Sequence, residues 1–474
     1  MQLRDSYDLI VIGNQLGGLF LAAGAAQTGL RVLVLEESSV PTVLYEVPSG
    51  KLLGDFAAEP VIGLAADTPL DRFLQSLGLY QNIDEVFPFH EPGLQVVAPR
   101  LRLDFSYRAD SLLQQLRREL PLPKGQLEGL ARALSGQEVS RGSFSDLIAR
   151  LQLPVSYEAY GPMQAMLYGS MAPPRISAPA YRDLMELGAR GVRFPIGGRS
   201  GLKERLLSRI MVSGGTVKRA TEVEEIVFER GRLTGVLLSS YEGFVRSPRV
   251  VGSLDAEKFL HLIPLARRPK RLLERVRAMR PRYWRLSFTL LMPEALVPEG
   301  LGSHVALVSP AEGLEQENFL QLQIFRKDVY GGIPAGHVAV IARMLMPFAE
   351  ETIHARYITR VLKRSLERLG ELMPFLRERP FALSPDADKL EQDPVFQRYY
   401  RFESLADIPD MLRVYENGLS ASPDLPGSID WKEFGLDGLA LCSRDIRPFH
   451  GLVGEIATAM DLLERIKGED RRRD

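Results

Sequence analysis

The sequence predicts an α/β chain: one discontinuous domain with a parallel sheet, into which a second, α+β domain is inserted twice. Three observations predict this. Over residues 7–36 an apolar run, a glycine-rich turn, an Ala- and Leu-rich stretch and a second apolar run ending in an acid follow in order. Short apolar strand patterns return near residues 216 and 439, far apart in the chain. The length of 474 residues suits about two to four domains at roughly 100–200 residues each.

Residues Asp8 to Ile12 form a continuous apolar run, as expected of a strand covered on both faces. Gly13-Asn14-Gln15-Leu16-Gly17-Gly18 is the turn, Leu19 to Thr28 reads as helix, and Gly29 is its stop signal. Arg31 to Glu36 is the second strand, completing a βαβ unit. The pattern is that of a Rossmann-like dinucleotide-binding (FAD or NAD(P)) fingerprint. Gly13 permits the tight turn and Gly18 lets helix and strand approach closely. The start of the helix offers free N–H groups and about half a positive charge to a pyrophosphate. Glu36 is placed to accept hydrogen bonds from ribose hydroxyls. The alternative is a βαβ crossover that holds no ligand.

Further along, Phe194 to Gly198 leads into a helix pattern over Leu202 to Ile210. Thr216 to Lys218, Glu222 to Phe228 and Leu233 to Leu238 follow as strands of the same layer. Leu439 to Cys442 reads as a last buried strand, Gly451 to Gly454 as a turn, and Glu455 to Ile466 as helix. The intervening segments differ in character. Residues 71–190 are mostly helical in pattern. Residues 269–435 open with strand runs at 285–292, 304–308, 319–325 and 337–343, then turn helical over 350–376. The expected division is therefore 1–70, 191–268 and 436–474 for the nucleotide domain, and 71–190 with 269–435 for a substrate or partner domain.

Composition narrows the class. With 59 Lys and Arg against 60 Asp and Glu, the formal charge is −1, which excludes a generally basic nucleic-acid-coating protein. One cysteine, Cys442, allows no internal disulfide and no Cys-based metal framework. The six histidines lie far apart and show no metal-ligand spacing. A reducing, cytoplasmic setting fits the lone cysteine. The apolar N-terminal run carries Asp5 and Asp8 where a secretory signal needs basic residues. No stretch reaches the roughly 18 apolar residues of a spanning helix, so the expectation is at most peripheral membrane contact. Oligomeric state is not encoded legibly.

The opening Tyr7-Asp8-Leu9-Ile10-Val11-Ile12-Gly13, with its second strand ending at Glu36, resembles the FAD-binding start of the amine oxidase and phytoene (carotenoid) desaturase superfamily. The middle is similar as well: Pro195-x-Gly197-Gly198-x-x-x-Leu202, then Gly214-Gly215, Val223-x-x-Ile226 and Gly235-Val236. Arg447-Pro448-Phe449-His450-Gly451-Leu452-Val453-Gly454 resembles the loop that lies by the flavin in carotenoid desaturases. The resemblance implies FAD as cofactor, adenine against the backbone at Val223, and the flavin near Gly451. It makes His450 a weak candidate for a catalytic base or a flavin hydrogen bond, with a structural histidine as the alternative. Tyr399, Tyr400 and Phe402 are candidates for lining an apolar pocket, or else for an aromatic core cluster.

Three departures fall together. Gln15 stands at the family's second glycine, Pro41 to Tyr45 replaces a Gly-Gly-Arg segment, and Ser443-Arg444 replaces a Gly-Asp pair. All three positions would touch the pyrophosphate or ribityl chain, which makes FAD weakly held or lost. Arg444 and Lys51 are residues that could pair with phosphate instead. Leu452 sits where amine oxidases place an aromatic residue, which counts against amine oxidation. The first expectation is an FAD-dependent oxidoreductase passing hydride to or from an apolar substrate, with isoprenoids as one class. The alternative is a cofactor-poor module that binds lipid or protein, like the GDP dissociation inhibitors. NAD in place of FAD is a third option.

Overall fold

Five consecutive buried residues, Leu9–Gly13, make the central strand β1. Val32–Glu36 (β2) lies directly beside it and parallel, with Leu9 opposite Val32 and Ile12 opposite Leu35. The helix between them, Leu16–Gln27 (α1), is buried at every position but its last. It begins three residues earlier than its periodicity suggests, inside the glycine turn, and Gly29 follows its end with φ +90°. Glycine takes that left-handed conformation without the steric penalty a side chain carries. The computed structural model describes residues 4–36, 44–47, 50–53, 61–89, 93–98, 101–105, 118, 123–134, 143–153, 187–188, 190–239, 243–278, 281–308, 319–326, 333–347, 355–378, 382–384, 413–415, 434–446 and 451–470.

Further elements complete this layer. Gly198–Val212 (α2) and Gly451–Asp470 (α3) are helices, and Thr216–Arg219 (β3), Val250–Ser253 (β4) and Leu439–Leu441 (β5) are strands. The sheet order is β5-β4-β1-β2-β3, and every pairing in it is parallel. α1, α2 and α3 contribute to one apolar core with this sheet through Phe20, Leu206 and Ile456.

Two expectations are corrected. Gly451 to Gly454 is not a turn but the opening of α3. The strands at 223–229 and 232–238 do not extend the parallel layer; with 244–246 they form a separate antiparallel sheet. The cause is local: Arg230 and Gly231 both have positive φ, +46° and +87°. That two-residue turn folds adjacent strands back on each other.

An eight-stranded sheet runs in the order 382–384, 281–293, 337–347, 319–325, 304–308, 94–98, 101–105, with 413–415 also paired to 281–293. Segment 71–190, expected to be mostly helical, thus contributes the hairpin 94–105, joined in parallel to 304–308. One face of the sheet is apolar, and Phe288, Leu322 and Val340 pack on the helix Ala355–Leu372 through Ile358, Val361 and Leu362. Alternate residues along the strands face the other way, and there His304, Gln321, Gln323 and Arg343 are buried. His304 meets Phe194 edge-on with ring centroids 5.5 Å apart. Because Phe194 leads into α2, this contact ties the large sheet to the parallel layer. Among the described residues no helix is long and apolar enough to cross a membrane.

Candidate nucleotide site

The glycines of the β1–α1 turn serve close backbone packing. A Cβ at Gly13 (φ +99°) would lie 2.3 Å from the Ser253 carbonyl oxygen on β4, and one at Gly18 would lie 2.3 Å from the Ser253 hydroxyl. Gly18 therefore performs the helix–strand role its spacing implies. Gln15 caps α1 in an extended conformation. Its backbone N–H donates to the Ser253 carbonyl at 3.0 Å, and its carbonyl accepts from the Ser253 hydroxyl at 2.8 Å. The side-chain amide spans a gap. Nε2 donates to Asp255 Oδ1 at 3.2 Å, and Oε1 accepts the backbone N–H of Arg444 at 3.1 Å.

Glu36, at the end of β2, is only 2% exposed. Its Oε1 accepts from Asn14 Nδ2 at 3.0 Å and from the Lys203 ammonium on α2. Oε2 accepts no hydrogen bond and has Arg219 Nε at 3.4 Å. Burial pushes the Glu36 carboxyl up. The bonds from Lys203 and Asn14, with the charges of Lys203 and Arg219, outweigh it and hold the group below the ordinary glutamate value. Val223 is buried at the start of its strand, and Thr221 donates its N–H to the Glu36 carbonyl at 3.1 Å.

The start of α1 already holds an anion. The Gly17 N–H donates to Glu455 Oε2 at 2.9 Å, and Arg199 Nη2 donates to Glu455 Oε1 at 2.8 Å. The Glu455 side chain, on the first turns of α3, is 1% exposed. Asp255 similarly accepts from Arg444 Nη2 at 3.3 Å. Ser443 is buried and its hydroxyl accepts the Asp445 N–H at 3.3 Å, while Asp445 in turn accepts the Ala256 N–H at 2.8 Å.

Of the residues singled out in the sequence, Gly13, Gln15, Gly18, Ser443 and Arg444 converge on this cluster. Glu36 and Val223 lie toward the end of β2, and Gly451 opens α3 four residues before Glu455. Arg444, considered above as a phosphate ligand, is engaged by Asp255. Cys442 is fully buried beneath the turn, and a Cβ at Gly17 would lie 2.8 Å from its carbonyl oxygen. His450, Arg447 to Phe449, Pro41 to Val43, Tyr399, Tyr400 and Phe402 lie outside the described residues, as does the side chain of Lys51. Asn14, Arg199, Lys203, Arg219, Asp255 and Glu455 escaped the sequence reading. Glu455 left one signal: it is the lone charge in the stretch Gly451 to Met460.

FAD, which the resemblance implies, is tested by this geometry in two halves. At the adenosine end, Glu36 keeps one oxygen that accepts no hydrogen bond, but it is buried and has Arg219 Nε at 3.4 Å. The diphosphate half does not fit with these side chains in place. Gly17 N–H and Arg444 N–H are both taken, and Arg199 and Arg444 already neutralise carboxylates. A diphosphate here would face the anions of Glu455 and Asp255. At about 4 Å and an effective dielectric of about 20, each like-charge contact costs about 4 kcal/mol. A helix N-terminus returns about 0.3–1 kcal/mol.

No protein-family model and no curated protein sequence matches the chain. Solved structures match it along its length. An oxidoreductase from Methanosarcina mazei is 17% identical with a TM-score of 0.68, covering 96% of this chain and 100% of its own. A protein from Pyrococcus furiosus is 16% identical with a TM-score of 0.65, covering 97% of each chain. Putrescine oxidase, redesigned in its cofactor binding, is 13% identical with a TM-score of 0.59, covering 98% of this chain and 99% of its own. The chain thus shares the fold of these proteins.

Proposed function

We propose that the chain is an FAD-dependent oxidoreductase whose flavin is exchangeable rather than resident. The observation that carries this is the acid Glu36 at the end of β2 together with the Glu455 carboxylate bonded at the start of α1, which would leave a diphosphate only weakly held. Whole-length likeness to proteins described as oxidoreductases supports the class. The substrate is proposed to be apolar, with isoprenoids as one class, on the resemblance to phytoene desaturases. It would be held by a second domain from 71–190 and 269–435, a division supported by the strands both segments give to one sheet.

The internal pairing also favours a second reading, a cofactor-free module that binds lipid or protein in the manner of GDP dissociation inhibitors. One measurement separates the two: the visible spectrum of the purified protein, followed by titration with FAD read by flavin fluorescence. Exchangeable flavin predicts little colour on purification and weak, saturable binding. Stoichiometric flavin on purification overturns exchangeability, and no binding at saturating FAD favours the second reading.

A further inference from the structure

Building on the reading that this layer descends from a dinucleotide site, we propose that the Glu455 carboxylate is a built-in replacement for the cofactor's phosphate. Removing it would uncover an anion site for a diphosphate, formed by the Gly17 N–H and the Arg199 guanidinium. A backbone N–H at the start of a helix together with an arginine is a donor set that phosphate oxygens favour. Here both donors converge on one carboxylate, at 2.9 Å and 2.8 Å, in a side chain only 1% exposed. That carboxylate arrives from α3, 438 residues further along the chain, so the local turn does not require it. An independent observation points to the ligand it replaces. Asn14 of the same turn bonds Glu36, whose Oε2 is buried, accepts no hydrogen bond and lies 3.4 Å from Arg219 Nε. The acid that ends β2 is thus tied through Asn14 to the same turn whose anion position is filled from within.

A purely structural cap makes a different prediction, and anion rescue separates the two. Glu455→Ala and Glu455→Gln are prepared in the full chain, and thermal unfolding is followed with and without millimolar inorganic pyrophosphate. The expected result is that both variants lose stability, and that pyrophosphate raises the melting temperature of Glu455→Ala but not of wild type. FAD affinity should rise by about tenfold or more, the scale of one charge-assisted hydrogen bond. Adding Arg199→Ala to Glu455→Ala should abolish the rescue. Should Glu455→Ala not fold, Glu455→Ser, which also vacates the carboxylate's position, carries the same comparison. Equal pyrophosphate shifts in wild type and variant, or none in either, overturn the proposal, as does rescue that survives loss of Arg199. Pyrophosphate rescue without any FAD binding overturns the flavin reading and leaves this one standing. FAD binding without rescue does the reverse.

Discussion

Gln15 is where the departure from a dinucleotide turn becomes chemistry. Its amide bridges Asp255 and the Arg444 backbone, so it fills the turn and also satisfies groups on both sides. Gln15→Gly frees the Arg444 N–H and removes bulk from the turn. It should increase flavin retention, measured by fluorescence after gel filtration, at about 1–2 kcal/mol of stability for the two lost bonds. Adding Ser443→Gly should increase retention further. Arg444→Asp, which would restore the family's acid, should instead destabilise the fold, because Asp255 would lose a guanidinium and gain a like charge. Glu36 carries a linked pH effect. Its pKa is lowered in the folded state, so its contribution is complete above the ordinary carboxyl value of about 4.3 and fades as pH falls below it. Glu36→Gln should cost about 3 kcal/mol at neutral pH by stranding Lys203, and should flatten the acid limb of stability measured by urea unfolding between pH 6 and about 3.

At the scale of elements, Arg193 joins three stretches of chain. It lies on a short strand, 192–193, paired with 61–62. Its Nε donates to the Leu64 carbonyl at 3.0 Å and its Nη1 to the Phe87 carbonyl at 2.6 Å. It also pairs with Asp84 and stacks over the Phe89 ring at 5.0 Å. Only a planar fork with several donors can serve these directions at once. Arg193→Lys should therefore cost about 2–3 kcal/mol, read as a lowered denaturant midpoint, although the charge is kept. The same stretch of chain continues through Phe194 to Gly197, the cap of α2, which carries Arg199 and Lys203 to the site. Loosening Arg193 should on that account also weaken FAD binding, and unchanged binding would separate the two.

Across the whole molecule, the three pairs Glu36–Lys203, Asp255–Arg444 and Glu455–Arg199 join β2, the residues after β4, α3 with the segment before it, and the start of α2 around one turn. Such a self-satisfied centre needs no ligand to remain folded. Exchangeable flavin then stabilises only by mass action, about 2.7 kcal/mol at a hundredfold excess over Kd. The melting temperature should climb steadily with added FAD and show no step at one equivalent. A sharp stoichiometric transition would mean that FAD completes the fold.

The βαβ unit, the acid ending β2 and the late strand at 439–441 were legible because each rests on local signals: apolar runs, a glycine turn and a terminal acid. The strand 250–253 was not, since it is four residues long and becomes a strand by lying between β1 and β5. The hairpin 94–105 was read within a helical segment because its decisive contact is a parallel pairing with residues some two hundred positions away, 304–308. The sequence by itself determined the α/β class with its parallel sheet, the turn and the suspicion that the diphosphate half is altered. Only the tertiary structure decided what took its place. Gln15, Ser443 and Arg444 mark the change, but the carboxylates that answer it come from Asp255 and Glu455. Their meeting is set by sheet order and by the docking of α3 on α1, neither of which has a local signature.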